Sequence, residues 1–212
     1  MKGKIIKLIV LTWILLTVFG KNKLMAEEID PQIQKGIEYY KQARNPGENN
    51  IDQLIEECLK SLHPFTQENA YACAIYGSAL TLKAGILAED SPIKSLSFLE
   101  EGNTYLDKAV TMQPDYEILR LIRLENGIEV SRSSPVKRYS EVSDDVAFFI
   151  DDEKVERFSD ETKAEVYLYC GFYYLDSGDL DYALELFEMA QEASPDTYSG
   201  ERAQKMLDRY SE

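Results

Sequence analysis

The chain has 212 residues, of which 38 are acidic and 23 are basic, and its formal net charge is −15. Because 44% of the residues are hydrophobic, there is enough apolar material for a folded core, which argues against disorder. The acidic excess argues against nucleic-acid binding, which requires Lys and Arg side chains to neutralise phosphates.

The N-terminal segment has the layout of a secretory signal peptide. Three lysines within residues 2–7 precede an uncharged, mostly apolar run at 8–20. This run is shorter than the roughly 20 apolar residues of a membrane-spanning helix, so we expect cleavage after Ala26 or after Gly20. The alternative is a retained helix that tethers the protein to the membrane.

Cleavage after Ala26 would leave a mature chain of 186 residues, with 38 acidic and 18 basic ones and a net charge of −20. A chain of this size suits a single domain over 27–212. We expect this domain to be exported to the periplasm or another extracytoplasmic site, with no stable membrane span.

Hydrophobic residues spaced three and four apart predict consecutive helices through the mature chain. Alternating strand patterns flanked by hairpin turns do not occur. The predicted helices cover residues 33–40, 51–62, 67–88, 92–112, 116–131, 139–150, 160–176, 180–193 and 197–210. Short links join them, as in antiparallel helix pairs, so the sequence predicts an all-α fold.

One helix pair carries a position-specific pattern. Residues 164–197 read AEVYLYCGFYYLDSGDLDYALELFEMAQEASPDT. The small residues Gly171 and Ala183 suit a close crossing of two antiparallel helices, Phe187 fills space beside the crossing, and Pro195 ends the second helix. This segment resembles a complete tetratricopeptide repeat of 34 residues.

The resemblance implies that antiparallel helix pairs stack as a short right-handed solenoid. Such stacks need about three units, because one repeat cannot bury its own faces. The segment 70–114 resembles a degenerate copy, with Gly77 and Gly102 at the expected crossing positions but a longer separation between them.

The segment 117–151 has helical spacing and would form the third pair. Arg120 and Arg123 stand there at positions where the repeat has aromatic or apolar residues. The whole region 70–151 also resembles a group of bacterial exported helical-repeat proteins without an assigned activity. The shared order is GSA…LEEGNTYLDKAV…PD…R…R…DD.

The tetratricopeptide resemblance also implies a peptide-binding groove, lined by exposed positions on the first helix of each pair. The corresponding residues here are Tyr71, Ser78, Glu165, Leu168, Phe172 and Leu175. This face is apolar and aromatic with acidic edges, so the implied ligand is a basic or apolar peptide segment of another protein. The alternative is that Phe172 and its neighbours pack against the helix at 137–150.

We find no catalytic constellation and predict a non-enzymatic scaffold or adaptor, with no cofactor and no metal site. His63, the only histidine, is expected at a helix end in a capping or surface role. The acidic segment 176–181 suits an inter-helix turn better than a calcium loop. Asp144 and Asp145, with the acidic run 151–153, suit a solvated acidic flank.

The sequence leaves three further alternatives open. Cys58, Cys73 and Cys170 suit buried free thiols, and a bridge between Cys58 and Cys73 is the alternative. A self-associating structural protein, docking through 197–210, is the second alternative. The third is an enzyme of unrecognised type that uses carboxylates and a bound metal.

Overall fold

The computed structural model describes residues 30–45, 50–150 and 152–210, with the backbone alone at 152 and 153. The regular elements in these ranges are helices, so the all-α prediction is confirmed. The α-helices are α1 (Pro31–Ala43), α2 (Ile51–Leu62), α3 (Ala70–Leu87), α4 (Pro92–Met112), α5 (Glu117–Ser133), α6 (Tyr139–Phe149), α7 (Asp152–Val155), α8 (Asp160–Ser177), α9 (Leu180–Ala193) and α10 (Tyr198–Tyr210). The predicted signal peptide lies outside the described residues.

Each predicted helix has a counterpart, and two short elements were not predicted. A 3-10 turn at His63–Phe65 follows α2, and the four-residue helix α7 lies between the helices predicted at 139–150 and 160–176. The burial of Val155 accounts for α7, because this apolar side chain is fully buried in the hydrophobic core that α5, α6 and α8 to α10 also form.

The chain divides into two compact units, and the boundary falls inside α5, between Leu119 and Arg120. The first unit contains α1 to α4 and the start of α5, and the second contains the rest of α5 and α6 to α10. The single domain expected from chain length stays a prediction.

In the first unit, α3 packs along α4 and also contacts α2 and α1. Asn69 caps α3 by accepting a hydrogen bond from the amide of Ala72 at 2.8 Å. A Cβ at Gly77 would lie 2.7 Å from the carbonyl oxygen of Gly102, and the reverse distance is the same. The predicted close crossing at these two glycines is therefore confirmed.

Helix α3 is long and apolar enough to cross a membrane, judged by length and composition, and 67% of that stretch is buried inside the protein. Core helices have the same properties, because a helix covered on several sides is apolar all round.

In the second unit, α8 and α9 form an antiparallel pair. Ser159 caps α8, and Gly178 ends it in the left-handed conformation, with φ at 93°. A Cβ at Gly171 would lie 2.6 Å from Cε1 of Phe187, so glycine is required where the two helices approach. The sequence prediction of a small residue at this crossing is confirmed.

The core of the second unit is continuous across its helices. Helix α10 packs on α9 and α8, and α6 packs on α8. The buried cluster joins apolar side chains from α5 through α10, with Phe149, Tyr169, Phe172 and Phe187 as its large aromatic members.

Candidate functional site

The structure places the six predicted groove residues in both units and leaves little of their surface accessible. In the first unit, Tyr71 and Ser78 are buried. In the second, Glu165, Leu168 and Phe172 are buried as well, and Leu175 is half-buried.

The expectation that these side chains are exposed is therefore wrong for five of the six. Peptide binding itself stays a prediction. For Phe172 the packing alternative fits better, because the ring belongs to the same buried cluster as Val142, Val146 and Phe149 of α6.

Two guanidinium groups cover Phe172. The Cζ atom of Arg132, on α5, lies 4.2 Å from the centre of the Phe172 ring, and that of Arg202, on α10, lies 4.4 Å away. Such contacts are cation–π interactions, in which the ring quadrupole attracts the cation. The sequence prediction placed Phe172 in a groove, with packing against the helix at 137–150 as the alternative, and did not identify these side chains from α5 and α10.

Both arginines also form ion pairs that reach the surface. Arg132 donates to Asp176 at 2.6 Å, and Arg202 donates to Glu129. The four side chains keep between 17% and 25% of their surface exposed. We call Glu129, Arg132, Asp176 and Arg202, which lie on α5, α8 and α10, the arginine surface.

The layer beneath the arginine surface is strongly desolvated. Tyr169 is fully buried, and burial together with Glu125 and Glu129 raises its pKa well above the ordinary value. Burial would lower the pKa of Arg202, but Tyr169 and Glu129 more than offset this and raise it. Arg202 therefore stays positively charged beside Tyr169 and the carboxylate of Glu129.

A second ion-paired cluster lies between α5 and α6. The carboxylate of Asp145 has no exposed surface and accepts from Arg120 Nη1 at 2.9 Å. It also accepts from Arg123 Nε at 2.7 Å and Nη2 at 2.8 Å. Burial raises the pKa of Asp145, while both guanidinium groups act to lower it.

The prediction of a solvated flank is therefore wrong for Asp145, which joins two helices inside the unit. The arginines of the R…R…DD order supply its partners. Arg120 and Arg123 are three residues apart on one helix, so they lie on the same side of it. This spacing was the signal in the sequence that both could bind one carboxylate. Of the acidic run 151–153, no side chain is described.

The acidic segment 176–181 forms the turn between α8 and α9, as predicted. Asp179 caps α9 by accepting a hydrogen bond from the amide of Tyr182 at 3.3 Å, and Asp176 accepts one from the guanidinium group of Arg132. Within residues 30–45, 50–150 and 152–210, no three potential metal ligands come together.

His63 and the cysteines have ordinary surroundings. His63 is exposed at the start of the 3-10 turn, with its ring centre 5.7 Å from that of Tyr76. Cys58, Cys73 and Cys170 are buried free thiols. Burial raises the pKa of the Cys58 thiol to about 12, which disfavours the reactive thiolate.

Comparisons of the chain with protein families, with curated proteins and with solved structures gave no match.

Proposed function

We propose that this protein is a non-enzymatic helical-repeat scaffold of the cell envelope, which docks a segment of another protein. The observation that carries the proposal is the arginine surface, where α5, α8 and α10 set two partly exposed ion pairs over the buried ring of Phe172. Arginine and aromatic side chains are enriched in the energetic centres of protein interfaces.

The helix pairs support a repeat architecture of the tetratricopeptide kind. The Gly171–Phe187 contact and the left-handed Gly178 fit the pattern of a clear repeat at 164–197. The Gly77–Gly102 crossing fits a degenerate pair at 70–114. In such a stack, the first helices of successive pairs form one face, and α5, α8 and α10 would be those helices here.

The arginine surface favours a polar partner over a purely apolar one. Its two carboxylates and two guanidinium groups are already ion-paired with each other. A partner that contacts them must therefore offer charges or hydrogen bonds complementary to these groups. Glu129 and Asp176, backed by the buried Glu125 and Glu165, favour a partner with basic side chains.

Photo-crosslinking in the native envelope tests this proposal by position. A benzoylphenylalanine at Ser133 on α5 or at Lys205 on α10, both exposed, places the reactive group beside the arginine surface. The same group at Glu188, exposed on α9, is the control. We expect one partner protein to be captured from the first two positions and not from the third. Equal capture from all three, or capture only from α9, would contradict the proposal.

Self-association through α10 is the alternative that predicts a different result. A crosslink to a second copy of this chain from Lys205, with a dimer in sedimentation, would favour it.

A further inference from the structure

Four tyrosines form a continuous row on the second unit, at the end where α8 turns into α9. Ring centres lie 6.3 Å apart between Tyr139 and Tyr173, 5.5 Å between Tyr173 and Tyr174, and 4.6 Å between Tyr174 and Tyr182. We call these four residues, contributed by α6, α8 and α9, the tyrosine surface.

Each tyrosine of the row is half-buried, so part of every residue reaches solvent. Among the described residues, no cation lies over the ring of Tyr173 or Tyr174, and neither hydroxyl donates a hydrogen bond to the protein. Tyr139 differs, because its hydroxyl donates to Asp176 at 2.9 Å. The two central residues therefore pack against neighbouring tyrosine rings and keep part of their surface exposed.

The surroundings of the tyrosine surface are acidic. Asp179 and Asp181 are exposed in the turn and at the start of α9. Asp179 accepts a hydrogen bond from the amide of Tyr182 at 3.3 Å, and Asp181 directly precedes Tyr182 in the chain. The cations beside Tyr139 have partners within the protein: Arg132 is paired with Asp176 and lies over Phe172, Lys137 donates to the carbonyl oxygens of Ser131 and Ser134, and Arg138 is paired with Glu141. From Arg120 onward the chain has 22 acidic and 11 basic residues, so the whole unit repels anions.

We propose that the tyrosine surface binds a basic peptide segment, with Lys or Arg side chains over the rings of Tyr173 and Tyr174 and close to the carboxylates of Asp179 and Asp181. Tyrosine rings attract cations through their faces, and an adjacent carboxylate adds a charge interaction. Tyrosine also buries a large area at a low cost in side-chain entropy. The site deepens the proposed docking function by naming the partner chemistry, but it shares no residue with the arginine surface, of which Asp176 accepts a hydrogen bond from Tyr139.

Calorimetric titration of the purified protein with hexaarginine and hexalysine tests the site, with hexaglutamate as the opposite-charge control. We expect the basic peptides to bind, arginine more tightly than lysine, with an affinity that falls as salt is added. Hexaglutamate should give no heat.

Matched variants assign that binding to the tyrosine surface. We expect Tyr173→Ala to weaken hexaarginine binding by about 3- to 30-fold and Tyr173→Phe to leave it within about twofold, because phenylalanine keeps the ring. Tyr210→Ala changes a tyrosine on α10 that is 38% exposed and lies outside the row, so it should have no effect. Asp181→Asn should weaken binding several-fold, whereas Asp208→Asn on α10 should not.

Two results would overturn the assignment. Equal losses in Tyr173→Ala and Tyr210→Ala, or in Asp181→Asn and Asp208→Asn, would show that diffuse charge binds the peptide. Absence of heat with both basic peptides, from a protein whose helical circular dichroism is intact, would also reject it. The crosslinking at Ser133 and Lys205 is independent of this titration, so failure of the tyrosine surface leaves the docking proposal separately testable.

Discussion

Replacing Asp145 by asparagine should destabilise the protein strongly, because it removes the buried charge that two largely buried guanidinium groups share. Arg120 and Arg123 keep only 15% and 12% of their side-chain surface exposed, and Asp145 keeps none. Removing one partner of such a buried pair costs about 3–5 kcal/mol. Asparagine keeps one oxygen that can still accept a hydrogen bond, so we expect the lower end, about 3 kcal/mol.

The assay is urea unfolding followed by circular dichroism, which reads the helices directly. At about 2–4 °C per kcal/mol for a chain of this size, the same loss lowers the melting temperature by about 6–12 °C. Asp144→Asn is the matched control, since it changes the neighbouring exposed carboxylate and should cost no more than about 0.5 kcal/mol.

A third variant separates charge from packing. Replacing all three members by apolar side chains (Arg120→Met, Arg123→Met and Asp145→Leu) removes the three charges of this cluster at once. Such replacements are often neutral or stabilising, so this variant should be more stable than Asp145→Asn. If Asp145→Asn costs no more than Asp144→Asn, or if the apolar variant is the less stable one, our account of this cluster is wrong.

Three other changes should have defined outcomes. Gly171→Ala should cost about 1–3 kcal/mol in urea unfolding, because its Cβ would meet the buried ring of Phe187. Gly178→Ala should cost a similar amount, about 1–3 kcal/mol, through backbone strain alone, since φ is 93° and nothing lies near its Cβ. Burial, with a hydrogen bond to the carboxylate of Asp176, raises the pKa of Tyr139 from its ordinary value of about 10 to about 12, so between these pH values the folded protein holds a proton that the unfolded chain releases. Stability should therefore be level below about pH 10 and fall between about pH 10 and 12, and Tyr139→Phe should reduce that fall. Trp13 is the only tryptophan, so protein purified from the envelope should lack tryptophan fluorescence if the predicted leader is removed.

The helices could be predicted from the sequence because local signals specify them. Apolar spacing located α1 to α6 and α8 to α10, and glycine positions located the two close crossings. These signals act within a few residues of the chain, or between two helices joined by a short link. Helix α7 escaped prediction because its reason for existing, the burial of Val155, depends on side chains distant in sequence.

The candidate site could be predicted only in part, because its surface depends on neighbouring helices. The repeat pattern located Phe172 on the correct helix but left open what covers it. Arg132 and Arg202 lie 40 and 30 residues away in the sequence, and their contact with the ring requires α5 and α10 to pack beside α8. Asp145 was misassigned for the same reason, since its acidic neighbourhood suggested solvent and its arginine partners lie on another helix.

The most direct test of the docking proposal is the affinity of the crosslinked partner, once purified, for three forms of this protein. Glu129→Gln changes a carboxylate of the arginine surface, and Glu156→Gln changes one that pairs with Lys163 elsewhere in the same unit. We predict that Glu129→Gln weakens binding at least about fivefold, the loss that corresponds to an interface residue contributing more than about 1 kcal/mol, and that Glu156→Gln matches the unmodified chain. Equal affinities for all three folded proteins would contradict the proposal that the partner docks on the arginine surface.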